Sequence, residues 1–444
     1  MIVVMLLSFR FANHRSFRDE QQLNLTPVYG SDAGDPSVVE AVPVAGVFGA
    51  NASGKSNLLD ALSFLRDLAV DSDRRVEPGL GLPRRPFRLE PEFVTSPSRY
   101  VVDLLLNGIR HTYGCTIDNE RVVEEWLYHY PLKKKRRIFE RDGDQFAWGE
   151  QSGRHGDLEK IAEITAPTAL YLSTAARFTH RTPAPTATTS DPLQQVYLWF
   201  RGLRSRRRPS VLYFGAMAHA WPDGTPEQRH LVALLQAADL GILDVRVEQY
   251  HREVLAIADE EAYALDRTAS RQIGEVEGRR LKFTHRGANG ETILDLADES
   301  TGTQQLLDLS IVAMDTLRDG GLMTVDEIDA SLHPMLTAKL IGLFQSSTTN
   351  PRRSQLLFTS HDVTLLGTFD SEEVLLRDQI WFTEKNNDGA SVLYPLTDFR
   401  PRRAGENRPR RYLNGNYGGV PDLSTDLFEQ ALVGRGELDA QATH

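Results

Sequence analysis

The chain has 444 residues, 41% of them hydrophobic, enough for a large core and, by length alone, about three domains. A net charge of −11 with 25% charged residues makes the average surface acidic, which excludes binding of nucleic acid or an anionic membrane by bulk charge and leaves only local contacts. The single cysteine, Cys115, excludes an internal disulfide and any multi-cysteine metal site; it is expected as a buried strand residue in a reducing compartment.

The opening run MIVVMLLSF is apolar but lacks a basic leading region and a small-residue cleavage site, and it falls short of the roughly 20 residues of a membrane span. It reads as a strand, no membrane contact is expected, and the expected location is cytoplasmic. Residues 1 to about 85 follow as strand, turn, strand, loop, strand, Gly-rich loop and helix, with Leu58, Leu59, Leu62, Leu65 and Leu68 at helical spacing. From Tyr100 to Trp148 the pattern shortens to VVDLLL, RHTYGCTI, VVEEWLYHY, RRIFER and DQFAW, divided by Asn-Gly, Asp-Asn and Asp-Gly turns, which predicts an antiparallel meander. Residues 155 to about 285 read as helical and more polar, broken by the exposed loop RTPAPTATTSD at 181 to 191. After them ETILDLA, a helix from about Gln304 to Arg318, GLMTVDE, a further helix, QLLFTSHD and QIWFTE restore the alternation of strand and helix that implies a parallel sheet. The expected organisation is an α/β head split in sequence. Residues 1–150 form its N-terminal part with the meander, 151–285 a mostly helical insertion or arm, 286–400 its C-terminal part, and 401–444 a tail.

The stretch VFGANASGKSNLLDAL contains G-x-x-x-x-G-K-S, with a strand before it and a helix after it, the setting a phosphate-binding loop requires. Gly49 and Gly54 let backbone N–H groups wrap phosphate, Lys55 supplies a point charge to the β and γ phosphates, and Ser56 offers an oxygen to Mg²⁺. The candidate nucleotide contacts here are Gly49, Asn51, Ser53, Gly54, Lys55, Ser56 and Asn57, and the implied cofactors are ATP and Mg²⁺. A triphosphatase also needs a carboxylate for the metal and a group to orient water. Asp103, in VVDLLL, has no second acid after it. Leu322-Met323-Thr324-Val325-Asp326-Glu327 is an apolar strand ending in two acids, so Asp326 fits the metal and Glu327 the general base. That pairing requires a very large insertion between the two halves.

Three further stretches follow in order around this pair. Glu299-Ser300-Thr301-Gly302-Thr303-Gln304-Gln305 opens a helix, Ile328-Asp329-Ala330-Ser331-Leu332-His333-Pro334 follows Glu327, and Leu356-Leu357-Phe358-Thr359-Ser360-His361-Asp362 ends a strand in a histidine. With FRFANHRSFRDE, GANASGKSN, RDQIWFTEK and YLNGNYGGVP, they resemble the stand-alone bacterial AAA-type ATPases with ABC-class, SMC-like heads. That group includes RloA-like and abortive-infection proteins and lies near the ATPase half of OLD nucleases. The resemblance implies an ABC/SMC-like P-loop head. Ser300, Gly302 and Thr303 would form a degenerate signature that closes over a nucleotide held by another copy, residues 328–334 a D-loop, and His361 a switch histidine. Arg15 and Ser16 would lie near the nucleotide, and catalysis would rest on Glu327, Lys55 and His361. It also implies at least a homodimer with composite ATP sites, and an anti-phage role with a separate effector protein. The signature departs from LSGGQ, and no Q-loop glutamine is placed; Gln21, Gln22 and Gln145 fit poorly.

Lys133 to Arg137, Arg204 with Arg206 to Arg208, and Arg400 to Arg411 are basic clusters that could grip nucleic-acid phosphates. An OLD-like nuclease needs an acidic metal cluster after the head, and residues 399–444 carry only scattered acids. An SMC-type DNA-repair ATPase needs a long coiled-coil arm, and an ATP-gated scaffold would hydrolyse little; both remain as alternatives.

Overall fold

A computed structural model describes residues 4–28, 41–75, 81–149, 155–179, 191–206, 224–238, 240–255, 273–288, 290–400 and 406–421. The loop expected at 181 to 191 lies outside these residues except for Asp191, as do Arg207, Arg208 and 401–405.

The chain opens with β1 (Val4–Ala12), β2 (Gln21–Asn24), β3 (Val44–Gly49) and the long helix α1 (Lys55–Arg75). After the short α2 (Pro91–Thr95) comes the expected meander, β4 (Ser98–Leu106), β5 (Ile109–Ile117), β6 (Val122–His129), β7 (Arg136–Asp142) and β8 (Gln145–Trp148). It recruits the first two strands into an antiparallel sheet of order β2-β1-β4-β5-β6-β7-β8, and Cys115 is buried in it, as its alternating run implies. From Val4 onward the N-terminal apolar run is β1, and among the described residues no helix is long and apolar enough to cross a membrane.

Helices α3 (His155–Ile164), α4 (Tyr171–Thr179) and α5 (Pro192–Gly202) pack on α1 and this sheet through one apolar core that includes Leu62, Leu65, Leu172, Val196 and Phe200. A buried acid ties them down. Glu125 on β6 accepts the N–H groups of Tyr171 (2.6 Å) and Leu172 (3.0 Å) at the start of α4, and the Tyr113 hydroxyl donates to it at 2.9 Å. Burial raises the Glu125 carboxyl, opposed by Arg141 at 3.8 Å and by these hydrogen bonds. The first three helices of the insertion are thus part of the head's core rather than an arm.

The rest of the insertion corrects the helical expectation. Beyond β9 (Arg204–Arg206) and α6 (Pro226–Ala237), residues Ile242–Leu255 and Ile273–Gly287 are long strands, β10 and β11, paired antiparallel and joined by β12 (Gly290–Asp295). Val245 and Val247 alternate with Arg246 and Glu248, a period of two in a charge-rich stretch, and Val245, Leu281 and Phe283 pack their buried face on α6 and α7 (Thr301–Asp319).

The second half of the head follows as β13 (Leu322–Val325), α8 (Pro334–Gln345), β14 (Gln355–Thr359), β15 (Thr368–Phe369), β16 (Glu372–Glu373), β17 (Ile380–Lys385), β18 (Ser391–Pro395) and α9 (Arg408–Leu413). Its sheet has the order β18-β17-β3-β14-β13-β9, with β17, β3, β14, β13 and β9 mutually parallel. Gln355 joins the two sheets: its amide accepts from Leu6 N at 2.6 Å and donates to Leu6 O at 3.0 Å and Val42 O at 3.1 Å.

His111, buried in β5, bonds Ile109 O at 2.9 Å, and burial lowers it to about 4; burial likewise lowers His14. Both imidazoles are neutral in the fold, so the unfolded chain takes up protons first as pH drops below about 6.5. Their stabilisation is complete above that value and is lost as pH falls, for His111 on the way down to about 4. Denaturation midpoints at pH 7.5 and 5 should therefore fall on acidification, and His111→Gln should reduce that fall.

Candidate active site

The parallel pairing builds the site. In β3 and β14 Val47 lies opposite Thr359, and in β13 and β14 Val325 lies opposite Phe358, so the phosphate loop, His361 and the Asp326-Glu327 pair leave the sheet at one edge. Ser56 and Asp326, 270 residues apart in sequence, meet there, Ser56 Oγ donating to Asp326 Oδ1 at 2.9 Å. Thr359 Oγ1 donates to the same oxygen at 2.6 Å and accepts from Glu327 N at 2.8 Å. Glu327 holds φ = 52°, a left-handed conformation that costs a side-chain-bearing residue about 1 kcal/mol or more, and the Thr359 bond is one contact that holds it there.

Lys55 is buried, and its Nζ donates to Gly49 O at 2.8 Å and Ala50 O at 2.9 Å, both carbonyls of its own loop. Burial lowers its ammonium to about 8, against the charges of Glu327, Asp326 and Asp329, which raise it. His361 Nδ1 lies 3.5 Å from Lys55 Nζ, and its Nε2 lies 4.0 Å from Glu327 Oε1. Burial and the Lys55 charge hold His361 below its ordinary value. Glu327 itself is exposed, open to a water or a partner surface.

The loop is braced from behind. Gly49 has φ = 157° and is pressed against β17, where a Cβ would stand 2.3 Å from Thr383 O, and Gly54 has φ = 117° against Ser391. Ser53 Oγ lies 2.7 Å from Thr383 Oγ1, and Ser391 Oγ lies 2.6 Å from Ser53 O and 2.7 Å from Ser16 Oγ. Asn57 donates to Ser16 Oγ at 2.7 Å, so Ser16 and Asn57 lock the start of α1, while Asn51 stands exposed at the loop's tip. Arg15 is committed to Asp60 on α1, which Arg85 Nη1 also grips at 2.7 and 2.8 Å and His14 contacts at 3.0 Å.

Ser300 caps α7, its Oγ accepting from Thr303 N at 3.1 Å and lying 2.8 Å from Thr303 Oγ1, and a Cβ on Gly302 would stand 2.7 Å from Ser331 O. The start of α7 thus packs on the turn that follows Glu327, and the Ser300 bonds close within its own helix cap. Asp103 is a structural carboxylate, bonded to Ser8 (2.9 Å), Thr112 (2.5 Å) and Arg110 (3.0 Å) inside the antiparallel sheet. Thr359, Thr383 and Ser391 escaped the sequence reading. Thr359, two residues before His361, had a positional signal; the other two had none.

Ser56 and Asp326 suit Mg²⁺: a hydroxyl and one carboxylate oxygen converge beside a phosphate loop, and among the described residues no cluster of three or more acid, histidine or cysteine ligands competes. Mg²⁺ is typically held by one or two protein oxygens with phosphates and waters completing its shell.

A P-loop nucleotide-binding protein of split-head construction is what this fold and site define. Residues 44–367, well over half of the chain, match the AAA-domain family whose description names the AbiEii toxin and the type IV toxin–antitoxin system, and the chain belongs to that family. No curated protein matches it. Among solved structures it is similar to the SMC head domain from Thermotoga maritima, at 13% identity and TM-score 0.40, covering 88% of this chain and 98% of that one. It is also similar to the Pyrococcus furiosus Smc head with an extended coiled coil bound to the C-terminal domain of ScpA, at 11% identity and TM-score 0.41, covering 89% and 97%.

Thr359→Val removes the hydroxyl that orients Asp326 while preserving shape. It should raise the Mg²⁺ concentration needed for half-maximal tight binding of a fluorescent ATP analogue about tenfold, and Thr359→Ser should restore it; a titration of Mg²⁺ at fixed analogue reads both.

Proposed function

We propose that this chain is a Mg²⁺-dependent ATP hydrolase that uses the nucleotide as an assembly switch. The observation that carries it is the convergence of the Ser56 and Thr359 hydroxyls on one Asp326 carboxylate oxygen, with exposed Glu327 and His361 beside Lys55. Lys55 Nζ would exchange its two loop carbonyls for the β and γ phosphates, restoring the charge that burial opposes. Ser56 and Asp326 would hold Mg²⁺, which neutralises charge on the phosphate oxygens when bound. Water attacks the γ phosphorus as its bond to the β–γ bridging oxygen breaks; Glu327 takes the proton, ADP carries away the bridging oxygen, and inorganic phosphate forms. His361, 3.5 Å from Lys55 and 4.0 Å from Glu327, would respond to the γ phosphate.

The open Glu327 side and the signature's packing on the D-loop support a site completed by Ser300, Gly302 and Thr303 of a second copy. Arg15 and Ser16 would act from behind the loop, Ser16 through Asn57. The family's description, with its toxin–antitoxin system, supports a separate protein partner and an abortive-infection role as sensor or regulator. The SMC-type repair reading loses support from the insertion, whose described part holds core helices and a β-hairpin.

Glu327→Gln should keep nucleotide binding, lower phosphate release about a hundredfold or more, and accumulate a heavier species on Mg-ATP. Lys55→Ala should lose the nucleotide itself. Mass in solution with and without Mg-ATP, alongside phosphate release, checks both; unchanged mass and no phosphate from wild type would sink the switch.

A further inference from the structure

The structure separates the three basic clusters. Arg204 pairs with Asp319 at 2.7 Å, and Arg206 with buried Asp308. Arg408 is tied to Glu373, and Arg411 to Glu406. These cations are engaged within the fold. Lys133, Lys134 and Lys135 are exposed at the turn between β6 and β7, and Arg110 and Arg137 stand exposed on the strands beside it. Within this corner the acids are few: Asp103 faces Arg110, and Glu140 is bonded by Arg137 at 2.9 Å and Tyr128. Among the described residues, Lys133, Lys134 and Lys135 thus form a locally basic corner on an acidic chain.

The same corner carries aromatic rings along β6. Lys135 Nζ stands 3.6 Å from the Tyr128 ring centre, and the Arg110 guanidinium lies over Tyr130 at 5.2 Å. Farther along, Gly114 leaves room for Trp126 to lie across β5, where a Cβ would stand 2.3 Å from the ring, and Arg99 covers that ring at 5.1 Å. Arg99, Trp126, Tyr128, Tyr130 and Lys135 line an open hollow of about 630 Å³ on the sheet. Of its other acids Glu125 is buried, and Glu124 and Asp142 stand opposite each other in the β6–β7 register, at the end away from the lysine turn.

We propose that this face of the antiparallel sheet binds single-stranded nucleic acid, with phosphates on Lys133, Lys134 and Lys135, which draws Lys135 off the Tyr128 ring, and bases stacked on Tyr128 and Tyr130, while Trp126, held between Gly114 and Arg99, walls the far end. Rings alternating with cations suit unpaired bases, whose faces are accessible, whereas a duplex keeps its bases stacked inside. The proposal is independent of the ATPase reading, since none of these residues belongs to the nucleotide site.

The test uses the full chain and fluorescein-labelled oligo-dT and oligo-rU of about 20 nucleotides, read by anisotropy, with an equal-length duplex and anionic phosphatidylserine vesicles alongside. At least one single strand should bind at about 50 mM salt, and contact with four phosphates should cost about 50-fold in affinity by about 200 mM. Lys133→Glu, Lys134→Glu and Lys135→Glu combined should weaken binding at least tenfold, and Tyr130→Ala about tenfold, while both variants retain nucleotide binding at the phosphate loop, which shows that they are folded. No binding of either single strand at low salt, or binding untouched by the triple reversal, overturns the proposal. So does a duplex that binds as tightly with Tyr130→Ala silent, or capture by vesicles without oligonucleotide binding.

Discussion

The parallel register of β3, β14 and β13 is the constraint on which the rest depends. Each strand ends at the same sheet edge, and each is followed by a residue with chemistry to offer: the phosphate loop after β3, His361 after β14, Asp326 and Glu327 after β13. A slip of one residue would turn alternate side chains to the opposite face and separate Thr359 from Asp326. The apolar runs VAGVF, LMTV and QLLF, buried on both faces, resist such a slip because each position already fills a core.

Around that edge the charges are arranged for a ligand of opposite sign. Lys55 is buried and leans on two backbone carbonyls, a weaker solution than phosphate oxygens for an ammonium taken out of water. Asp326 is held by two hydroxyls of the fold itself. The conformational cost of ordering these groups is thus met by folding rather than by binding, which leaves more of the binding free energy for affinity.

The insertion contributes to the head in two ways. Its first helices complete the apolar core over α1 and are anchored by Glu125, an acid whose burial is tolerable because two backbone N–H groups, a phenol and Arg141 surround it. Its hairpin packs on α7, the helix that carries Ser300, Gly302 and Thr303 at its N-terminal end. On α7, Leu306, Leu307 and Ile311 face the hairpin while Leu309, Val312 and Ala313 face the parallel sheet. One helix therefore packs on the hairpin and on the acidic strand and carries the Ser300 cap between them.

Sequence alone determined what short-range physics encodes. The phosphate loop, the apolar strand ending in Asp326-Glu327, the meander's period of two and the burial of Cys115 each depend on neighbouring residues and their torsions. The β10–β11 hairpin was misread because its alternation is diluted by charge and its apolar face is defined by α6 and α7, far away in sequence. Only tertiary structure decided that Ser56 meets Asp326, that Thr359 orients both acids, that Ser391 braces the loop, and that one basic cluster of three sits on an open aromatic face. Those pairings span 32 to 338 residues and are set by strand register and packing, which no local pattern records.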